Sequence, residues 1–292
     1  MFLLAHVSDI HLAPLPAPGL AELISKQGLG YLNWLRKRRA IHRTEVLAAV
    51  IADLKAQTPD HIAVTGDLVN LSLSNEFARA RAWLEGLSPP EGATFVPGNH
   101  DAYVRGAADH ASRDWANYMR GDNGEPFPFI RRRDNVALIG VSSALPTLPL
   151  AATGEVGAEQ LTRLGDLLAS LAQENLFRVV LIHHPPVSGV NRFRRLRDAP
   201  ALRDLLRKHG ADLVLHGHLH ETSLIWITGP RESIPCIGAP SASAASGHHD
   251  EPAGYNLIEI DGEPGAWHCM TIARGMRDDG TIAEISRQML TG

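Results

Sequence analysis

The chain has 292 residues, 44% of them hydrophobic, which is enough apolar material for a sizeable core. Its formal charge of -4 excludes nucleic-acid binding driven by overall positive charge, so no nucleic-acid partner is expected. Its 15 histidines against 2 cysteines favour nitrogen and oxygen metal ligands over thiolates, and Cys236 and Cys269 read as free thiols in a reducing compartment.

Residues 2–12 read as a buried strand followed by a polar turn. The apolar run 2–7 is short, lacks a basic flank and leads directly into Asp9 and His11, so it does not read as a signal peptide. No apolar stretch approaches the ~20 residues that span a bilayer. A cytoplasmic protein is expected, with peripheral placement at a membrane left open.

Residues 13–43 carry Pro14, Pro16 and Pro18, then Leu29, Tyr31, Leu32, Trp34 and Leu35, then the basic run Arg36, Lys37, Arg38, Arg39. They read as a partly helical cap insertion near the site. Either the cap packs on its own domain or it touches anionic lipid. Thr44 is an expected N-cap for a helix with Leu47, Val50, Ile51 and Leu54 on one face.

A strand over 61–65 delivers Gly66 and Asp67. A helix over 75–87 precedes a strand at 94–96, which runs into Gly98, Asn99, His100 and Asp101. Strands at 136–141, 177–182 and 212–215 alternate with helices at 157–173 and 199–209. Residues 222–275 contain four consecutive strands, at 223–228, 233–238, 255–260 and 266–272. The chain therefore reads as βαβ layering followed by an antiparallel sheet, in a single domain over 1–292.

Five motifs fall at strand ends: Asp9-x-His11, Gly66-Asp67, Gly98-Asn99-His100-Asp101, His183-His184 and Gly217-His218-x-His220. Ligands bind at the carboxyl ends of strands in layered α/β folds. Strand alternation would place both members of Asp-x-His, and of His-x-His, on one face. Together they offer mixed oxygen and nitrogen ligands for borderline cations.

Other residues have blander readings. Asn70 is a turn-former or a substrate contact, and His216 supports its neighbours. His6 and His61 are strand histidines with structural partners, while His248 and His249 are solvated loop histidines or lie at the site rim. The basic clusters 36–39, 131–133 and 192–197 are solvated surface or face an anionic partner.

The order and type of the five motifs resemble the calcineurin-like metallophosphoesterase family, most of all its bacterial cyclic-nucleotide and glycerophosphodiester phosphodiesterases. The resemblance runs from Leu4 to about Ile260. It implies an α/β sandwich of two packed sheets flanked by helices, with a dimetal site at the strand C-terminal ends. One ion would be held by Asp9, His11, Asp67 and His220, the other by Asp67, Asn99, His183 and His218, with Asp67 as the bridge. Mn or Fe is expected, with Zn or Co as alternatives.

The resemblance also implies a hydroxide held by the ions and attacking phosphorus in line, with His100 as the catalytic imidazole. Asp101 would orient His100 by accepting its other N–H. His184 would support the site or contact substrate. The expected function is hydrolysis of a small phosphodiester, a cyclic nucleotide or a glycerophosphodiester. The alternatives are a phospholipid or lipid-linked phosphoester hydrolase recruited to an anionic membrane surface, and a non-catalytic scaffold. The complete ligand set, including His100, argues against the scaffold. A water-facing Trp34 favours the lipid reading and a buried Trp34 the small diester. Residues 13–43 also make the chain longer than compact cyclic-nucleotide enzymes of the family.

Overall fold

The computed structural model describes residues 1–149, 151–245 and 251–291, without the side chains of residues 37 and 38. In the first of two six-stranded sheets, β1 (Phe2–Val7), β2 (His61–Val64) and β3 (Ala93–Phe95) are parallel. The meander β10 (Gly254–Glu263), β11 (Ala266–Met276) and β12 (Ile282–Thr291) extends this sheet, antiparallel from β1. The second sheet runs β4 (Phe129–Arg133), β5 (Val136–Gly140), β6 (Phe177–Leu181), β7 (Leu213–His216), β9 (Ser233–Gly238) and β8 (Ser223–Thr228). Its strands β5, β6, β7 and β9 are parallel.

Alternation along each strand builds the layers. Phe2 and Leu4 of β1 pack with Leu138, Val179, Leu181 and Leu215 between the sheets. Ala5 and Val7 turn the other way, onto α3 (Thr44–Ala56) and α4 (Ser74–Leu87) through Val50, Leu54, Phe77 and Leu84. In β5, Val136 and Leu138 face the inter-sheet layer. Ala137 and Ile139 meet Leu164 and Leu168 of α6 (Ala158–Leu171) and Leu202 and Leu206 of α7 (Ala199–His209). The order is helix, sheet, sheet, helix, which is the α/β sandwich expected.

Four features depart from the sequence reading. The strands of 222–275 do not make one antiparallel sheet: β8 and β9 form a hairpin on the second sheet, while β10 and β11 belong to the first. The elements β4, β12 and α5 (Ala107–Asp114) were not expected, because charge in β4 and β12 and the alanine-only apolar face of α5 obscure their periodicity. Arg131 is also no surface residue. It is buried, and its guanidinium donates to the carbonyls of Arg120, Pro90, Ala93 and Asn117. Its neighbours pair as Arg132–Glu174 at 2.7 Å and Arg133–Asp122 at 2.8 Å.

Thr44 is the first helical residue of α3 rather than its cap, and its hydroxyl donates to the Ala13 carbonyl at 2.9 Å.

His61 in β2 is fully buried against the Thr94 hydroxyl at 2.8 Å. Burial, aided by the charges of Arg133 and Arg131, lowers its pKa to about 3. Its pKa in the unfolded chain is about 6.5, so between those values the unfolded state binds the extra proton. Stability is therefore expected to fall as pH drops from about 6.5 toward 3, with His61 contributing about 2 kcal/mol of loss by pH 5. Urea midpoints at pH 7 and pH 5 should differ less in His61→Gln than in the wild type. An unchanged difference would rule this residue out as a source.

Candidate metal centre

The five motifs meet at one edge of the sandwich, in loops that leave the strands rather than on the strands themselves. Asp9 and His11 follow the end of β1, and their backbone amides donate to the carbonyls of Gly66 and Asp67 at 3.0 and 2.9 Å. His218 and His220 follow the end of β7. Strand alternation therefore does not orient these pairs. Asp9, His11, Asp67, His218 and His220 instead adopt positive φ, between 42° and 72°. Such conformations cost non-glycine residues roughly 1 kcal/mol or more each, and they persist where surrounding structure enforces them.

Side chains converge in two groups. In the first, His11 Nδ1 donates to the Val69 carbonyl at 3.2 Å, leaving the Nε2 lone pair of the neutral ring directed inward. That nitrogen lies 3.4 Å from His220 Nε2, 3.9 Å from Asp9 Oδ1 and 3.9 Å from Asp67 Oδ2. Asp9 Oδ2 accepts from the Ser8 hydroxyl and the His218 amide, at 2.7 and 2.9 Å. Asp9 Oδ1 is buried without a hydrogen bond and sits 3.1 Å from His220 Nε2. Converging lone pairs beside an unsatisfied buried carboxylate oxygen fit a cation.

In the second group, His183 Nδ1 donates to the Thr65 carbonyl at 2.6 Å. Its Nε2 faces Asn99 Oδ1 at 3.3 Å and Asp67 Oδ2 at 3.4 Å. His218 Nε2 donates to the Arg194 carbonyl at 2.7 Å, so Nδ1 carries its lone pair. Asp67 Oδ2 thus lies between the two groups, as a bridge requires. Burial opposes the charged form of His183, but the Asp67 carboxylate and then Asp9 outweigh it and push its pKa up to about 9. His220, then His183 and His11, hold Asp9 below the usual carboxylate range, and His183 with His100 holds Asp67 there, despite their burial. A cation held at Nε2 would take the place of that proton.

Close approach explains two glycines. A Cβ at Gly98 would collide with the Asp67 carboxylate, and one at Gly217 with the side chains of Ser8 and Asp9.

His100 is half-buried at the rim, between the fully buried His11 ring, edge-on at 4.9 Å, and the Tyr103 ring, stacked at 5.9 Å. Its amide donates to Asp67 Oδ1 at 2.8 Å. Its ring Nδ1 is held by the Asn70 carbonyl. Asp101 does not fill the orienting role expected of it. Its carboxylate accepts four backbone amides, from Asp67 and Gly98 on one oxygen and Leu68 and Val69 on the other. Side chains adjacent in sequence diverge here, and Asp101 braces the bridging loop.

Asn70 and His184 follow the structural alternative of each reading, and the substrate contact is not seen for either. Asn70 is 1% exposed, its amide bonded to Leu12 and Glu76, so it serves His100 through its backbone rather than meeting substrate. His184 is 0% exposed, with Nδ1 on the Ser143 hydroxyl at 2.8 Å and its ring 4.3 Å from His218. It backs the second group and offers substrate no surface. His216 bonds its own loop, and His6 and His61 have hydroxyl partners, as anticipated. His248 and His249 lie outside the described residues.

Sequence reasoning missed three contributors. Glu76, at the start of α4, accepts the amides of Asn70, Leu71 and Leu73 at 2.7, 3.0 and 2.9 Å, shaping the loop that presents the Asn70 carbonyl. His42, at the end of the cap, is buried with its ring 4.4 Å from that of His11 and bonds Ser243. Arg194 donates to the His218 carbonyl at 2.9 Å, which gives the 192–197 cluster one inward-facing member. Glu76 had a sequence signal, an acid in the first helical turn. His42 and Arg194 had none.

A family model described as calcineurin-like phosphoesterase matches residues 2–222. The chain belongs to this family. A probable cyclic nucleotide phosphodiesterase from a Synechococcus species is 27% identical over 268 residues, covering 90% of this chain and 89% of the relative. A cAMP/cGMP dual specificity phosphodiesterase from Mycobacterium tuberculosis is 27% identical over 212 residues, 69% of this chain and 63% of the relative. Among solved structures, a dimetal phosphatase from Danio rerio superposes with a TM-score of 0.68 at 11% identity, covering 99% of this chain and 98% of the other. That likeness shows the shared fold. This calcineurin-like phosphoesterase is therefore a hydrolytic enzyme of a dimetal family, with His and Asp groups placed for such a centre.

Proposed function

We propose that this enzyme is a phosphodiesterase acting on a small diester, a cyclic nucleotide or a glycerophosphodiester. The observation that carries the reading is the pair of converging donor groups sharing Asp67, with the half-exposed His100 at their rim. Asp9, His11, Asp67 and His220 would hold one ion, and Asp67, Asn99, His183 and His218 the other. The His and carboxylate donors suit Mn or Fe, and also Zn or Co. Such a pair supplies an activated water and neutralises charge on the phosphoryl group. His100, fixed through Nδ1 by the Asn70 carbonyl, presents Nε2 to the substrate and, in its doubly protonated form, would give the Nε2 proton to the departing alkoxide, leaving the neutral ring. The named relatives support the diester, and so does Trp34. Its ring is buried among Leu15, Leu71 and Leu73, which takes from the cap the aromatic lipid anchor that the alternative reading needed.

Phosphorus NMR of the Mn-loaded protein with cyclic AMP, glycerophosphocholine and short-chain phosphatidylcholine tests this. One soluble diester signal should disappear. In His100→Ala the rate should fall about 10²-fold or more with metal content unchanged. Turnover of the lipid alone, or of none of the three, would sink the assignment.

A further inference from the structure

The cap presents apolar side chains to water on the side away from its core. In α2 (Lys26–Asn33) and the π-helical turn that follows it (Trp34–Arg38), Gln27, Tyr31 and Trp34 form the inward face at helical spacing. Gln27 is anchored to the carbonyls of Leu71 and Ser72, at 3.2 and 2.8 Å. Leu29, Leu32 and Arg36 fall on the opposite face. Leu29 is 64% exposed and Leu32 52%. The short helix α1 (Leu20–Leu23) and the residue after it add Leu20 and Ile24, 86% and 91% exposed. A water-facing helical surface ordinarily carries charge at these positions.

Charge at the end of this face has one sign. Residues 13–43 contain six basic side chains against one carboxylate, in a chain of net charge -4. That carboxylate, Glu22, is occupied by Gly19 and Ser74. Arg36 and Arg39 are exposed and, among the described residues, have no ion-pair partner. They line a cavity of about 430 Å³ with Leu35, Ala40 and Arg43. Arg39 and Arg43 also line a second cavity, about 160 Å³, that includes Trp34 and His42, and His42 lies against His11.

We propose that this outward cap face is a docking surface for an anionic lipid bilayer. Leu20, Ile24, Leu29 and Leu32 enter the boundary between headgroups and acyl chains, and Arg36 and Arg39 meet headgroup phosphates. Exposed leucines bordered by unpaired arginines match that partner on both counts, apolar depth and negative charge. The contact uses aliphatic residues, with Trp34 kept inside as the wall on which the cap rests. The proposed contact is peripheral; among the described residues no helix is long and apolar enough to cross a membrane. Docking is independent of which diester is hydrolysed. It places the metal centre beside the bilayer through the cavity that reaches His42.

The test is sedimentation of the full chain with vesicles of phosphatidylcholine containing phosphatidylglycerol, and with vesicles of phosphatidylcholine alone. The wild type should pellet with the anionic vesicles, and high salt should weaken this. The double variant Leu29→Ser/Leu32→Ser should bind about tenfold less, and Arg36→Glu/Arg39→Glu about 25-fold less, at roughly fivefold per lost basic residue. Both should keep the wild-type melting curve and rate on a soluble diester. Absence of binding by the wild type, or equal binding by wild type and variants, would overturn the proposal. So would light scattering that shows a dimer which Leu29→Ser/Leu32→Ser dissolves, since a second copy would then cover the face.

Discussion

Asp67→Asn is expected to lower the rate of diester hydrolysis by about 10³-fold and to weaken cation binding in both halves of the centre. The side chain faces His11 Nε2 at 3.9 Å on one side and His183 Nε2 at 3.4 Å on the other. Its Oδ2 thus lies within 3.9 Å of a ring nitrogen from each group. Neutralising the phosphoryl charge with ions contributes several kcal/mol, and each 1.36 kcal/mol is tenfold in rate. Asparagine is the informative replacement because Asp67 has φ of 56°, a conformation asparagine tolerates and alanine does not. Its amide oxygen can still accept the His100 amide, so the loop should survive. Metal content measured beside activity separates the two sides of the centre. Asp67→Asn should lose affinity for both ions, whereas Asp9→Asn should lose it for one. Two ions retained per chain with wild-type turnover would refute the bridging role.

Much of this centre was legible because metal ligation restricts residue type. Asp9, His11, Asp67, Asn99, His183, His218 and His220 stood out by chemistry and order, and the structure gathers all seven. Strands such as β1 and β5 were legible because burial on both faces makes a continuous apolar run. Two of the misses share a cause, which is that the deciding interaction is remote in sequence: the bonds of His42 to Ser243 and of Arg194 to His218 join segments that no local pattern relates. Glu76 is different, since it bonds the loop just before its own helix and was signalled by its place in the first turn. Sheet membership is also non-local. β8 and β9 look like β10 and β11 in sequence, yet β9 pairs in parallel with β7 while β10 pairs with β1. The left-handed backbone at His218 and His220 is imposed by the surrounding loops, and the enrichment of histidine in that region is too weak to announce it.

Asp101→Asn gives the second large effect, and it separates two roles for this carboxylate. An orienting partner of His100, replaced by its isosteric amide, would leave stability and metal affinity intact and lower only the rate. The structure predicts otherwise. Both oxygens of Asp101 accept two backbone amides each, at 2.7 and 2.8 Å on one and 2.9 and 3.2 Å on the other. Whichever way an asparagine turns, its amide group confronts two N–H donors and leaves them unsatisfied. Each buried donor without a partner costs about 1–3 kcal/mol, so the variant should lose about 4 kcal/mol of stability. In a chain of this size that corresponds to a fall in Tm on the order of 10 °C. The donors belong to Asp67, Leu68, Val69 and Gly98, so the bridging carboxylate should shift as well and cation affinity should weaken with Tm. Burial, and then the charge of Asp67, raises the Asp101 pKa to about 7. Four amide donors favour the ionised form against that pressure. Thermal melts and metal titrations of Asp101→Asn beside His100→Ala decide the matter. Only Asp101→Asn should lose stability and metal, and only His100→Ala should lose turnover with both intact.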